Sequence, residues 1–431
     1  MKLKSLLFGS AAVLAAGTGA QAADLPTVEP VEYVRICDAF GTGFFYIPGT
    51  DTCLKLSGYV RAEQHYVEGA DDNDLTRRYF GGGFGQDHQI NNWSTRVRGH
   101  VEWDARTQTD FGLVRAFIAI EGTRGPKSVT AAFNGGNESY GSGVTLASAF
   151  LQVSNDWGTY TAGKFGSFFD FFGSHLYGTR IGLEDGTTDP NLFAWTFAGG
   201  NGFSFSISSE DPNSTSRRND GDDDYEGLQL PDLVGNIRVD QGWGSAQIMG
   251  AVRQIHDKQG TKFSNLGDDS GDDDDTVGFA FGAGLKLGIP GGWEVVAQAD
   301  YADGMEGYVW SGLNGLGDLD SSAAFGSVDP NAGSDTNLAW GVRGGIAGPI
   351  GANFKVWGDA SWVHEEEAFG GDEGEFIGAG IGGAWTPVPG LSFGPEVAFN
   401  TWDVNDDASD GLDETDDYSI WGVMWRVQRN F

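Results

Sequence analysis

The chain has 431 residues, with 26 Lys and Arg against 61 Asp and Glu, and a formal net charge of −35. Nucleic acid is excluded as a partner, because binding it requires cations that neutralise phosphates. Glycine, at 69 residues, stands at more than twice its usual share of about 7%, and plentiful Phe and Trp beside only 13 Pro point to many short strands with tight turns.

The first segment reads as a secretory signal peptide, residues 1–22. Lys2 and Lys4 form a basic start, Leu6 to Ala16 a short apolar stretch, and Ala20-Gln21-Ala22 a small-x-small cleavage site. The alternative, a buried N-terminal helix, is the weaker reading because the stretch is short and its start is basic. The mature chain is expected from Ala23. Beyond it no stretch approaches the run of about 18 apolar residues that a membrane helix needs. A membrane location then requires a closed barrel, since only helices and barrels satisfy every backbone polar group in lipid.

Residues 23–53 precede the first long alternating segment and hold both cysteines, Cys37 and Cys53. An even count in an exported chain is read as one disulfide closing a short loop, with two free thiols as the alternative. This segment is expected on the periplasmic side.

Residues 54–431 are expected to form an all-β, antiparallel transmembrane barrel. Phe203-Ser204-Phe205-Ser206-Ile207-Ser208 alternates apolar and polar residues. In the segment after Asn91, Trp93, Val97, Val101 and Trp103 share one parity, and Arg96, Arg98, His100 and Glu102 the other. Near Val277, the residues Val277, Phe279, Phe281, Leu285 and Leu287 form one face. Period two with one apolar face is a strand signal. About sixteen such segments are counted, each read as long enough for the roughly 9–11 residues of a tilted spanning strand. They begin near Leu54, Asn91, Phe111, Val144, Thr159, Asn191, Gly202, Leu233, Ser245, Thr276, Trp293, Thr336, Asn353, Glu375, Leu391 and Tyr418.

The connections alternate in kind. Short ones include Asn155 to Gly158, Gly199 to Gly202, Pro290 to Gly292, Pro349 to Gly351 and Pro387 to Gly390. Long, polar ones include Glu68 to Gln89, Asp211 to Gly227, His256 to Asp275, Asp303 to Asp335 and Val404 to Asp417. In outer-membrane barrels short turns face the periplasm and long loops face outside. The acidic runs at Asp222 to Asp224, Asp268-Asp269, Asp272 to Asp275, Glu365 to Glu367 and Asp406 to Asp417 read as solvated loops, with divalent-cation binding at the outer surface as the alternative, and none has the spacing of a calcium loop. No metal site and no cofactor is expected.

The final strand places Trp421, Val423, Trp425 and Val427 on one face, and the chain ends on Phe431. Alternation ending in Phe resembles the signal read by the bacterial barrel-assembly machinery. Arg429 interrupts the apolar face.

Three stretches carry a family resemblance. The first is Val31-Glu32-Tyr33-Val34-Arg35-Ile36-Cys37-Asp38, followed by Gly43 to Leu54 and Leu56-Ser57-Gly58-Tyr59-Val60-Arg61. The second runs from Ala162-Gly163-Lys164-Phe165 to Ser167-Phe168-Phe169-Asp170, and the third is Val427-Gln428-Arg429-Asn430-Phe431. Together they resemble the alphaproteobacterial, Rhizobiales-type porin family. The resemblance implies a sixteen-stranded homotrimer in the outer membrane of a Gram-negative bacterium, in contact with lipid and lipopolysaccharide. It also implies that the third long loop folds into the barrel.

Strand parity turns Arg61, Glu63, Arg96, Arg98, Arg115, Arg238, Arg253 and Arg343 inward. Lys55, Arg61, Arg96, Arg98 and Arg115 are the candidate wall residues of a constriction. The candidate constriction loop, about Gly166 to Pro190, holds Asp170, Glu184, Asp185 and Asp189. In general porins, which the chain resembles, cationic wall residues face an acidic inward loop. The competing reading pairs these arginines with Glu102, Glu121 or Asp240 as wall salt bridges. The expected function is passive diffusion of small hydrophilic solutes and ions, weakly favouring cations because of the acidic entrance loops. A substrate-specific channel is the alternative, but parity reveals no inward ladder of aromatics. A secreted acidic β protein is the remaining one. An enzyme is not expected: the six histidines are scattered and no hydrolase motif accompanies them.

Overall fold

The computed structural model describes residues 35–69, 93–125, 141–178, 181–215, 217, 229–255, 276–310, 336–366, 373–406 and 414–431. The expected leader at residues 1–22, the expected start at Ala23 and most acidic loop runs lie outside them. Glu365, expected in a solvated run, is instead a buried strand residue that accepts from Trp310 Nε1 at 2.8 Å.

Alternating segments become strands that can satisfy their backbone only by pairing. A short β1 (Phe44–Tyr46) precedes β2 (Cys53–Gly69), β3 (Trp93–Thr109), β4 (Gly112–Gly125), β5 (Gly141–Asn155) and β6 (Gly158–Lys164). The chain continues through β7 (Asn191–Gly200), β8 (Phe203–Asp211), β9 (Asp232–Gln241), β10 (Gly244–Ile255), β11 (Thr276–Ile289) and β12 (Trp293–Asp303). It finishes with β13 (Leu338–Ile350), β14 (Phe354–Glu366), β15 (Glu373–Val388), β16 (Leu391–Asp406) and β17 (Glu414–Asn430). Each strand from β2 onward pairs antiparallel with the next, and β17 returns to β2 with Arg426 opposite Glu63 and Asn430 opposite Tyr59. The result is a closed barrel of sixteen strands, β2 to β17, with no free edge. Every expected segment start lies within four residues of an observed strand start.

One expectation on length is corrected. β6 has only seven residues, fewer than a tilted spanning strand needs, because the chain leaves the wall at Phe165 and turns inward. No helix of the described residues is long and apolar enough to cross a membrane.

The parity of the faces follows the sequence pattern. Val60, Val97, Phe281, Leu285, Trp421 and Val423 are exposed on the outside, where lipid replaces water. Glu63, Gln247, Gln298, Asp359, Glu396 and Arg426 occupy the opposite parity and are buried. The apolar core lies inside the barrel rather than between layers. Phe169, Tyr308, Trp310, Phe376 and Ile181 form one cluster there, and Phe172, Leu176, Leu183 and Trp357 form another. The first is built by the 165–190 segment and residues 305–310 against the inner wall, the second by the 165–190 segment against the wall alone.

Cys37 and Cys53 form the expected disulfide, with Cα atoms 6.0 Å apart. Phe44 completes a small buried cluster with them. β1 pairs with Cys53–Lys55, below the point where β17 ends, so it extends the barrel seam at the short-turn end.

Candidate functional site

An irregular segment inside a barrel cannot leave its peptide groups unpaired. The wall meets this need with side chains. Glu210 of β8 accepts from the Phe168 N–H at 2.9 Å, and Gln298 of β12 accepts from Phe172 N–H at 2.8 Å. Asp359 of β14 accepts from His175 and Leu176 N–H, and Glu396 of β16 accepts from Tyr177 and Gly178 N–H. Donors serve the carbonyls: Asn236 Nδ2 reaches Phe168 O at 2.7 Å, and Arg343 Nε reaches Phe172 O at 2.6 Å. The segment therefore runs along the inner faces of β8 to β17.

Glycines on that wall make room for it. A Cβ at Gly284 of β11 would lie 2.2 Å from the Phe171 ring. One at Gly380 of β15 would lie 2.8 Å from Leu176, and one at Gly422 of β17 would lie 2.9 Å from Ile181. Part of the glycine excess is thus a bed for the loop.

Two other loops hold the segment from the long-loop end. Arg217, after β8, donates to Asp170 at 2.6 Å, to Ser167 Oγ at 2.6 Å and to Gly186 O at 2.8 Å. Its guanidinium also lies 3.9 Å from the Tyr308 ring centroid. Tyr308 comes from the loop after β12 and donates to Asp232 of β9 at 2.7 Å. Burial pushes the Asp170 carboxyl up from its ordinary value, against the opposing pull of Arg217. Burial likewise pushes the Tyr177 hydroxyl up to about 12, so it stays a neutral phenol under the Arg426 guanidinium.

The loop acids singled out from the sequence are engaged locally. Besides binding Arg217, Asp170 accepts from Thr188 N–H at 2.8 Å. Glu184 accepts from Asn400 Nδ2, and its own N–H donates to Ser361 at 2.9 Å. Asp185 accepts from the Thr187 N–H and hydroxyl. Asp189 is exposed, and its carbonyl accepts from Lys164 at 3.3 Å.

The inner faces of β3 and β4 are outside this contact track, and β2 and β5 join it through Val67, which shares a buried cluster with Ile181, and Phe150, which meets Phe165; the wall residues lie on these strands. Arg61 donates to Gln428 at 2.8 Å, and Arg96 to Glu63 at 2.8 Å. Arg98 meets Glu121 at 3.0 Å and Thr123 at 2.9 Å. Arg115 makes two bonds to Asp104, at 3.0 and 3.1 Å, and one to Gln152. Lys55 sits directly across from Asp104 in register. The wall cations are thus brought together with one another and with neighbouring wall carboxylates.

Parity reading found the inward cations but missed their hub. Glu63 is buried between Arg96 and Arg426, the latter 2.6 Å away. Its inward parity next to Arg61 was the available signal. Arg217 had a fainter one, a basic pair inside an acidic loop.

Comparison with known proteins agrees with this architecture. A family model described as "Porin subfamily" matches residues 24–421. Porin Omp2b of Brucella abortus and of Brucella melitensis are each 34% identical over 255 residues, 57% of this chain and 64% of theirs. The chain therefore spans less than two thirds of the length of these curated relatives. Among solved structures, the outer membrane channel DcaP of Acinetobacter baumannii has a TM-score of 0.61 at 18% identity, covering 90% of this chain and 99% of that one. The trimer form of in-vitro folded OmpT of Vibrio cholerae has a TM-score of 0.51 at 12% identity, covering 88% and 100%. Those identities make the structural likeness one of fold. With the family match running over residues 24–421, this protein belongs to the porin subfamily of outer-membrane β-barrels.

Proposed function

We propose that the protein is a general diffusion porin: a passive, water-filled outer-membrane channel for small hydrophilic solutes and ions, weakly favouring cations. One observation carries this reading. The inward loop is bonded along β8 to β17, while Arg98, Arg106, Arg115 and Glu121 on β3 and β4 stay partly open to solvent. The conducting path then lies between the loop and that wall, with Lys55, Arg61, Arg96, Arg98 and Arg115 on one side. On the other side Asp170, Asp185 and Asp189 keep part of their surface exposed, whereas Glu184 is buried against Asn400. Charges lining a narrow, low-dielectric passage set its ion preference.

In this reading residues 1–22 are the signal peptide and residues 23–53 a periplasmic segment, with residues 54–431 as the barrel. The protein assembles as a homotrimer, as OmpT of Vibrio cholerae has been solved. Outer-membrane lipid and lipopolysaccharide surround it, and Phe431 is read by the barrel-assembly machinery. Cation preference follows from the acidic excess, which gives the chain a net charge of −35.

Planar-bilayer recording on the purified protein tests the proposal. Current steps in groups of three are expected, with a reversal potential on the cation side of a KCl gradient. Single-step insertion would overturn the trimer, an anion-side potential the selectivity, and no conductance the channel itself.

A further inference from the structure

The inner surface carries a contiguous strip of aromatic rings. Phe117 of β4 stacks on Phe150 of β5, with centroids 5.0 Å apart and planes 20° apart. Phe150 meets Phe165 edge-on at 4.8 Å, and Phe165 reaches Phe168 at 6.1 Å. The strip therefore crosses from the open wall to the start of the inward loop. All four rings keep part of their surface exposed. Apolar rings exposed in a water-filled passage gain nothing from water, and parity puts them on the polar side of the barrel. The expectation of a lumen without contiguous aromatics is corrected here: the link between wall and loop arises only in three dimensions.

Beside the strip, positive charge is in local surplus. Arg106 and Arg115 both turn on a single carboxylate, Asp104, at 2.7 and 3.0 Å, and Lys55 stands opposite Asp104 in register. The nearest further acid along β3, Glu102, is taken up by Ser57 and His100, each at 3.0 Å. Arg115 also lies over the strip, 5.2 Å from the Phe117 centroid and 5.1 Å from that of Phe150. Its side chain and that of Arg106 are each 26% exposed.

We propose that Phe117, Phe150 and Phe165, with the Arg106–Arg115 pair, form a binding subsite for small aromatic carboxylates. A planar ring would lie against the phenyl strip, where ring–ring contact adds to apolar burial. Its carboxylate would share the guanidinium donors that Asp104 does not use, since two guanidiniums present more N–H groups than one carboxylate can accept. Such a subsite retains aromatic anions in the channel while small inorganic ions still follow the field of the entrance. Charges there are screened beyond about 8 Å at physiological salt.

This inference rests on the diffusion-channel reading, and the test separates the two. KCl current through the purified protein in planar bilayers is recorded with added sodium benzoate or sodium acetate on one side. Benzoate is expected to reduce the KCl current at a concentration about tenfold lower than acetate, equivalent to about 1.4 kcal/mol. The Phe117→Ala/Phe150→Ala double variant, read against its own KCl current, is expected to bring benzoate down to the level of acetate. Arg115→Gln is expected to weaken the response to both anions. Conducting wild-type channels that respond equally to benzoate and acetate would overturn the subsite while leaving the channel intact. A tenfold gap that survives loss of both rings would overturn its location. Absence of KCl current would instead remove the underlying channel reading.

Discussion

Arg217 donates through Nη2 to Asp170 at 2.6 Å, joining two loops whose partners are 47 residues apart in the chain. The same guanidinium bonds Ser167 and the Gly186 carbonyl, so it fixes both ends of the inward loop at once. Removing one partner of a buried, hydrogen-bonded ion pair costs about 3–5 kcal/mol, because the other charge is left uncompensated. Arg217→Met is therefore expected to loosen the loop while leaving the barrel closed. Hydrogen exchange should accelerate at Phe168 and Thr188, whose amides bond Glu210 and Asp170. Strand amides of β14 to β17 should hold their protection. Unchanged exchange at both loop amides would show that Arg217 is not the fastening.

Gly284 offers a steric route to the same loop. A Cβ there would stand 2.2 Å from the Phe171 ring, and overpacking of a well-filled contact costs about 1–3 kcal/mol. Gly284→Leu is expected to push the loop off β11 toward the open wall, which narrows the path and lowers single-channel conductance. A conductance equal to that of wild type, in a barrel that still resists heat in detergent, would mean the loop does not bound the pore.

How much of this was legible in the sequence depends on the range of the interaction. The alternation in Val277 to Leu287 gives β11 directly, because lipid outside and side chains inside impose a period of two. The inward acids Asp359 and Glu396 were legible as polar residues on the lumen parity. Their partners were not, since each bonds peptide N–H groups of a loop about 180 to 220 residues away in the chain. Gly284 reads as a weak strand residue until Phe171 is seen against it. The Phe117–Phe150 pair was accessible in principle from register, but Phe165 joins it only once the loop turns inward.

Salt should report where the selecting charges are. The wall ion pairs, such as Arg98–Glu121 at 3.0 Å, are close-range and little affected by screening. Distant loop charges act only within a Debye length, which falls from about 10 Å at 0.1 M to about 3 Å at 1 M. If entrance loops set the cation preference, the permeability ratio from reversal potentials should approach unity as KCl rises from about 0.1 to about 1 M. A ratio that stays constant would assign selectivity to the wall and inward loop instead.

The Cys37–Cys53 bridge closes a loop with a sequence separation of 16, and a loop of about this size contributes about 3 kcal/mol. It also anchors Phe44, whose ring lies 4.9 Å from the Arg106 guanidinium. Replacing both cysteines with Ser is expected to lower the thermal midpoint in detergent and to release residues 35–52 first. Limited proteolysis checks this: cleavage confined to that segment is expected, with the barrel resistant. Protection equal to wild type would mean that β1 pairing with β2 is sufficient without the bridge.

Phe431 closes the barrel through its backbone as well as its ring. Its carbonyl accepts from Gly58 N–H at 3.2 Å, and its N–H donates to Gly58 O at 3.0 Å. A Cβ at Gly58 would stand 2.2 Å from the His100 carbonyl oxygen and 3.0 Å from the Phe431 ring, so glycine there accommodates both the facing strand and the last side chain. Phe431→Ser keeps both backbone bonds and loses the ring, whereas deletion loses both. Each bond contributes about 0.5–1.5 kcal/mol, too little to decide the stability of a sixteen-stranded barrel. A large effect of Phe431→Ser on the amount of heat-resistant barrel in the outer membrane, with refolding in detergent unchanged, is therefore expected if the ring is read during assembly. If only the deletion lowers that amount, and refolding falls in step with it, the residue acts through the seam and not as a signal.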